Sequence, residues 1–263
     1  KLRDLTVGIV GVGNVGRKAA DLCHTIGMQV LLNDPPRQRA EGKGDFTDLA
    51  RIQEQADIIT FHVPLKPAGE FATHHMVDDS FLKDLQKSPL LVNTCRGEVF
   101  DSGAVKNARD SGFISGLIID CWENEPEIDL ELLEKADFGT PHIAGYSRDG
   151  KAIDTMMSIR AVSRFFKLGI DDWQPTAIEL PERAQIQLDG HKKDEESVLA
   201  EAVLATYDIL ADDKRLRAAA PGSFERLRGE YPVRREFHNY RIKASNISQS
   251  TLSALNRLGF QIS

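Results

Sequence analysis

The run GVGNVG, Gly11 to Gly16, comes directly after an apolar stretch, Leu5 to Val10, that reads as a buried strand, and it opens a helical pattern from Val15 to Ile26. Strand, glycine turn and helix together make the first half of a βαβ unit, and this narrows the possible folds more than any other feature of the chain. Gly11 allows the tight turn, Gly13 lets the backbone approach a pyrophosphate, and Gly16 lets helix and strand pack closely, with the helix N-terminus facing the phosphates. Asp34, at the end of the second predicted strand (Gln29 to Leu32), puts a carboxylate where an adenosine ribose needs a hydrogen-bond acceptor. A carboxylate there repels a 2′-phosphate, so the pattern implies NAD, while Arg37 and Arg39 nearby keep NADP open.

The alternation continues. A helix is expected over Thr47 to Gln55 with Thr47 as its cap, strands over Asp57 to Val63, Pro89 to Asn93 and Ile114 to Ile119, and a helix from Ser147 to about Leu168. Such alternation implies right-handed crossovers and a doubly wound, mostly parallel α/β sheet of the Rossmann type. Beyond Leu168 the segment DDWQPTAIELPERAQIQLDG brings two prolines and loses periodicity. This predicts a first domain over 1–168 and a smaller α+β domain over 169–263. The latter is expected to hold one long helix, Asp194 to about Ala219, and a final helix and strand ending in GFQIS.

Composition excludes several classes of partner. Among 263 residues, 33 basic and 40 acidic side chains leave a formal charge of −7 with no basic arm, which argues against nucleic acid and anionic membranes. Cys23, Cys95 and Cys121 are widely spaced and outside any CxxC or Cys/His cluster, so neither a disulfide framework nor a metal site is indicated, and a reducing, cytoplasmic compartment fits. No apolar run reaches the ~18 residues of a membrane span, and KLRDLTVGIV lacks the regions of an export signal. The chain starts without methionine and meets its first strand within five residues, which reads as a fragment.

Four further stretches carry chemistry: HVPL (His62 to Leu65), NTCRG (Asn93 to Gly97), DCWENEP (Asp120 to Pro126) and TPHIAGY (Thr140 to Tyr146). The last three stand at or just after predicted strand ends, the edge where an open α/β sheet places its ligand crevice. With the glycine turn, and in order and spacing, they resemble the D-isomer-specific 2-hydroxyacid dehydrogenase family over roughly Leu5 to Leu168. The resemblance implies Arg96, Glu125 and His142 as the catalytic set. Oxidising a secondary alcohol needs a base of near-neutral pKa, which a histidine supplies; a carboxylate on its other ring nitrogen fixes the tautomer. Arg96 would hold the substrate carboxylate by its planar fork of donors. By the same resemblance Asp120 would bind the nicotinamide carboxamide, and Asn14, Val15, Val63, Thr94, Cys95 and Gly145 would line the cofactor. His62, His74 and His75 read as structural, although the backbone near His62 is expected to touch the cofactor.

Within the family, GYSRDGK, DPPRQRAEG and a C-terminal extension of about ninety residues look like a branch that oxidises a phosphorylated sugar acid in pyridoxal phosphate synthesis and uses its extension to form a homodimer. The substrate would be a small phosphorylated 2-hydroxy acid, met by Arg96 and Tyr146. Its phosphate would lie against Tyr146, Arg148 and Lys151, or against Arg234 and Arg235. Another 2-hydroxyacid substrate (phosphoglycerate, glycerate or glyoxylate), a non-catalytic NAD(H)-sensing module, and a regulator-binding C-terminal domain are the alternatives. Family members carry about a hundred residues of substrate lobe ahead of the glycine-turn strand; without them, weak NAD binding and little turnover are expected.

Overall fold

The structure is a computed structural model that describes residues 1–42, 44–219 and 222–263. Strands β1 (Thr6–Val10), β2 (Gln29–Asn33), β3 (Ile58–Phe61), β4 (Leu90–Asn93), β5 (Gly116–Ile119) and β6 (Phe138–Gly139) form one six-stranded sheet in the order β2-β1-β3-β4-β5-β6, every pair parallel. Helices α1 (Asn14–Thr25), α2 (Pro35–Glu41), α3 (Leu49–Gln55), α4 (Asp79–Lys83), α5 (Ser102–Asp110) and α6 (Leu130–Lys135) make the crossovers. Consecutive residues such as Ile9 and Val10 are both buried, so the strands are covered on both faces, as a parallel sheet requires. Each such aliphatic side chain contributes about 1.5–3 kcal/mol on burial.

Strand order reverses between β1 and β3, so the loops leaving their carboxyl ends diverge and open a crevice there. Local sequence explains the helix starts. Asp34 accepts the Arg37 amide and is followed by two prolines, whose fixed φ suits a first turn, so α2 begins where no helix was expected. The cap of α3 is Asp48, which accepts the Arg51 amide at 2.9 Å, rather than Thr47, whose amide donates to Leu32 O instead.

The chain continues with α7 (Arg148–Phe166), β7 (Gln185–Asp189), α8 (Glu195–Leu204), α9 (Ile209–Ala219), α10 (Phe224–Gly229), β8 (Arg241–Ser245), α11 (Gln249–Leu258) and β9 (Gln261–Ile262). The single helix expected over 194–219 is therefore two. The Ala205 amide still reaches Glu201 O, but the Thr206 amide and hydroxyl both turn back to Val203 O, so a side chain competes with the backbone for the carbonyl that would have continued the helix. Contacts divide the molecule into two compact units, Lys1–His142 with Ile209–Gly229, and Ile143–Asp208 with Glu230–Ser263.

In the first unit α9 packs on β6, whose outer edge has no strand partner among the described residues. Asp213 accepts the Gly139 amide at 2.8 Å, and Arg217 donates to Leu133 O and Ala136 O at the end of α6, each at 2.7 Å. Edge and helix-end groups that would otherwise need water are thus paired within the unit.

The second unit has its own three-stranded parallel sheet, β7-β8-β9. In β7, Ile186 and Leu188 are buried while Gln185, Gln187 and Asp189 are exposed, the alternation of a sheet covered on one face. Its polar anchor is Arg235, 6% exposed, which donates through Nε and Nη2 to both carboxylate oxygens of Asp149, each at 2.9 Å. Among the described residues no helix is long and apolar enough to cross a membrane, and no group of three or more His, Cys, Asp or Glu is placed to hold a metal ion.

Candidate active site

At the end of β1, Gly11 has φ +91°, and a Cβ on it would lie 2.7 Å from the carbonyl carbon of His62, so only glycine lets β1 and the loop after β3 converge. A Cβ on Gly16 would lie 1.9 Å from Gly11 O. Gly13 differs: apart from its own chain neighbours, no atom of the described residues lies within 4 Å of the place its Cβ would take. It is also the N-cap of α1 and offers no side chain to the first amides of that helix. The turn is thus closed toward the protein and open at its tip, where helix N–H groups face outward beside exposed Asn14 and Val15.

The carboxylate of Asp34 closes this turn onto β2, with Oδ2 accepting the Val12 amide at 2.8 Å and Oδ1 the Arg37 amide at 3.0 Å. A carboxylate has about four acceptor positions, so two remain for another donor. Beside it is a cavity of about 380 Å³ whose lining includes Gly11, Gly13, Asp34, His62, Val63 and Thr73. Burial pushes the His62 ring toward its neutral form, and its Nε2 lies 3.1 Å from Thr60 Oγ1. The two arginines that left NADP open are committed elsewhere. Arg37 bonds Glu41 and Val12 O, and Arg39 bonds Glu70 while stacking over Phe71. Open space at Gly13, unfilled helix amides and a carboxylate with free acceptor capacity fit a dinucleotide without a 2′-phosphate.

Three loops meet further along the same edge. Asn93, 1% exposed at the end of β4, donates from Nδ2 to Arg96 O at 3.0 Å and Cys121 O at 3.4 Å, and its Oδ1 accepts the Cys95 amide. A Cβ on Gly97 would sit 1.9 Å from Trp122 O, so the turn after Arg96 rests directly on the DCWENEP loop. Trp122 in turn donates its indole N–H to Thr140 O at 2.8 Å. Buried Asp120 accepts the Thr140 hydroxyl at 2.6 Å and, through its carbonyl, the His142 amide at 2.8 Å.

Glu125 and His142 are joined: Oε2 lies 2.7 Å from His142 Nδ1, while Oε1 accepts the Trp122 amide, also at 2.7 Å. A carboxylate at Nδ1 holds the proton there, so the neutral ring keeps its lone pair on Nε2. Arg96 is exposed, with one Nη1 bond to Cys95 O at 2.6 Å. Burial raises the thiols of Cys95 and Cys121, and the charges of Asp120 and Glu125 raise Cys121 further, so both are thiols that pack and line. His75, Asn124 and His142 hold left-handed φ of 50°, 61° and 53°, a conformation that costs a non-glycine residue about 1–2 kcal/mol and gathers at functional sites.

Val63 lines the cavity, and Thr94 lies in the loop between β4 and Arg96. Gly145 and Tyr146 belong to the second unit, where Tyr146 meets Tyr231 edge-on at 6.1 Å and Lys151 Nζ lies 4.1 Å over its ring. In that unit Arg235 is spent on Asp149 and is withdrawn as an anion binder, and Arg234 Nη2 donates to Ile143 O and Ala144 O. Sequence reasoning assigned no role to Asn93, Thr140 or Thr73, each buried and each stapling one loop to another. A polar residue closing an apolar strand was the signal for Asn93.

Comparison with known proteins agrees with this geometry. Residues 1–144 match the model for the D-isomer specific 2-hydroxyacid dehydrogenase, NAD binding domain, and residues 179–259 match a family described only as a domain of unknown function. An erythronate-4-phosphate dehydrogenase of Bacteroides thetaiotaomicron is 48% identical over 239 residues, 91% of this chain and 66% of the relative. One from Escherichia coli is 40% identical over 261 residues, covering 98% of this chain and 68% of its own length. The chain thus spans about two thirds of the length of the curated relatives it matches. Among solved structures, a D-lactate dehydrogenase from Aquifex aeolicus in complex with NAD and lactic acid superposes with a TM-score of 0.55 at 29% identity, over 65% of this chain and 56% of that one. The glycine turn, its acid and the loops above them are those of an NAD-binding domain, and the chain belongs to the D-isomer specific 2-hydroxyacid dehydrogenase family.

Proposed function

We propose that the protein oxidises 4-phospho-D-erythronate to 3-hydroxy-2-oxo-4-phosphobutanoate with NAD, a step in pyridoxal 5′-phosphate synthesis. The observation that carries this reading is the 2.7 Å bond between His142 Nδ1 and Glu125 Oε2, at the same sheet edge as a turn open to a dinucleotide. The substrate is inferred from relatives named erythronate-4-phosphate dehydrogenase at 40–48% identity.

In this reading His142 Nε2 takes the hydroxyl proton as the C2–H bond breaks, and Glu125 stabilises the imidazolium that forms. Arg96 holds the substrate carboxylate and the reacting oxygen, which sets the alcohol carbon toward the cofactor. When bound, NAD supplies the two-electron oxidant. Gly11, Gly13, Asn14, Val15 and Gly16 hold its pyrophosphate, Asp34 its ribose and Asp120 its carboxamide; Val63, Thr94, Cys95 and Gly145 line it. Tyr146 contacts the substrate, with Arg148 and Lys151 nearest to it in sequence among the cations that could meet a phosphate.

We assign the NAD-binding and catalytic role to 1–168 and a homodimerising role to 169–263, in a cytoplasmic protein. The exposed apolar side chains of α7, Met157 at 62% and Phe165 at 80% among them, support an interface in the second unit. Three free cysteines are consistent with a reducing compartment.

The test follows NADH absorbance with 4-phosphoerythronate beside phosphoglycerate, glycerate, glyoxylate and lactate as alternative substrates in the appropriate direction. Turnover with the phosphorylated four-carbon acid, abolished in His142→Ala while NAD binding persists, is the expected result. Preference for another acid by tenfold or more in kcat/KM overturns the substrate, and full activity of His142→Ala overturns the site.

A further inference from the structure

We propose that His75 is a positioning residue for the reaction, a strut that holds the segment carrying Arg96 against the loop carrying Glu125. This inference rests on the reading of Arg96, Glu125 and His142 given above. The His75 amide donates to Glu98 O at 2.7 Å, two residues past Arg96, and its ring Nε2 lies 2.6 Å from Glu123 Oε1, two residues before Glu125. One residue thus spans two loops, farther out than the bonds of Asn93 Nδ2 to Arg96 O and Cys121 O and the packing of Gly97 against Trp122 O that also join them.

The surroundings are built around that link. Glu123 Oε2 accepts the Ser102 amide at 3.3 Å, so both carboxylate oxygens are engaged on the Arg96 side of the site. Burial alone would raise the Glu123 carboxyl, yet the bonds from His75 and Ser102 keep it below its ordinary range. Asp101 Oδ2 lies 3.7 Å from the other ring nitrogen, and His74 stacks on the ring at 4.0 Å. The backbone holds the ring in place. His75 has φ 50°, and Val77, two residues on, exchanges bonds with Val99 and Asp101 across a short parallel bridge. A left-handed residue persists only where its neighbours over-determine it, and here the conformation aims the ring at Glu123.

Glu125 must present one oxygen to Trp122 N and the other to His142 Nδ1 at once, so a small swing of the 123–126 loop breaks the second bond. Positioning errors of this size lower turnover by about tenfold or more without removing any reacting group.

The experiment compares His75→Ala with His75→Gln in the full-length protein. Both substitutes carry the same left-handed backbone burden, and the glutamine amide keeps a donor near the place of Nε2. Expected are a fall in kcat of about tenfold for His75→Ala, a KM for NAD changed less than about twofold, loss of the low-field Nδ1–H proton resonance of His142, and recovery of most of the rate and of the resonance in His75→Gln. Glu123→Ala should reproduce the defect, and the double variant should add nothing to it. An unchanged His142 resonance in both alanine variants overturns the proposal, as does an equal loss in the alanine and glutamine variants. If the resonance disappears as expected while His142→Ala remains active, the strut stands and the catalytic reading falls.

Discussion

The carboxylate of Glu125 is divided between two donors, Trp122 N and His142 Nδ1, each 2.7 Å away. A backbone amide on one oxygen leaves the other a single direction, so the ring it meets has one orientation and one tautomer. That relation makes His142 usable as a base, and it is the first to test.

Glu125→Gln keeps the shape and removes the charge. An amide N–H facing Nδ1 would favour the wrong tautomer, and the imidazolium would lose its counter-charge. The expected kcat is lower by on the order of 10²–10⁴, with NAD affinity nearly unchanged. Steady-state kinetics with a separate NAD titration checks this; a loss of less than about threefold would show that the pair does not orient the base.

Asp34 does two jobs, capping α2 and tying Val12 to the end of β2. Asp34→Ala should lower stability by about 0.5–2 kcal/mol through the lost cap and weaken NAD binding severalfold. It should not by itself create NADP preference, because Arg37 and Arg39 are bound to Glu41 and Glu70. Titrations with both dinucleotides decide it, and a switch in preference toward NADP would mean those ion pairs open easily.

The buried pair Arg235–Asp149 sets the acid stability of the second unit. Burial alone would raise the Asp149 carboxyl, but bonds from Arg235, the Glu236 amide and Asn239 bring it down to about 2. A lowered carboxyl stabilises the native state fully above its unfolded pKa, near 4, and the contribution disappears as pH falls toward about 2. His238 Nε2 lies 3.5 Å from the same carboxylate. Arg235→Ala should cost about 3–5 kcal/mol at neutral pH, since it strands a buried charge, and much less near pH 2. Urea unfolding at the two pH values measures the difference; a deficit that does not shrink in acid would be the contrary result.

Much of the site could be read along the chain. The glycine turn depends on φ and close approach at residues adjacent in sequence, and Arg96 and Glu125 each follow a strand whose apolar run marks its end. The positions of β1 to β5, within a residue or two, came from the same local signals, while β6 was not expected. Segment 194–219 misled because it holds no glycine or proline to mark the break, which comes where Thr206 turns back to Val203 O. Helix periodicity says which face is buried, not what it is buried against.

Sequence by itself determined the βαβ order, the dinucleotide turn with its acid, and the residue types of the reacting set, because each rests on backbone geometry or on chemistry carried by a few neighbouring positions. Tertiary structure alone decided that Asp34 bonds Val12, that Arg235 is spent on Asp149, that α9 shields the edge of β6 through Asp213 and Arg217, and that His75 reaches Glu123. Those partners lie 22 to 86 residues apart, and which groups meet over such separations depends on how layers pack, a property of the folded chain that no local window contains.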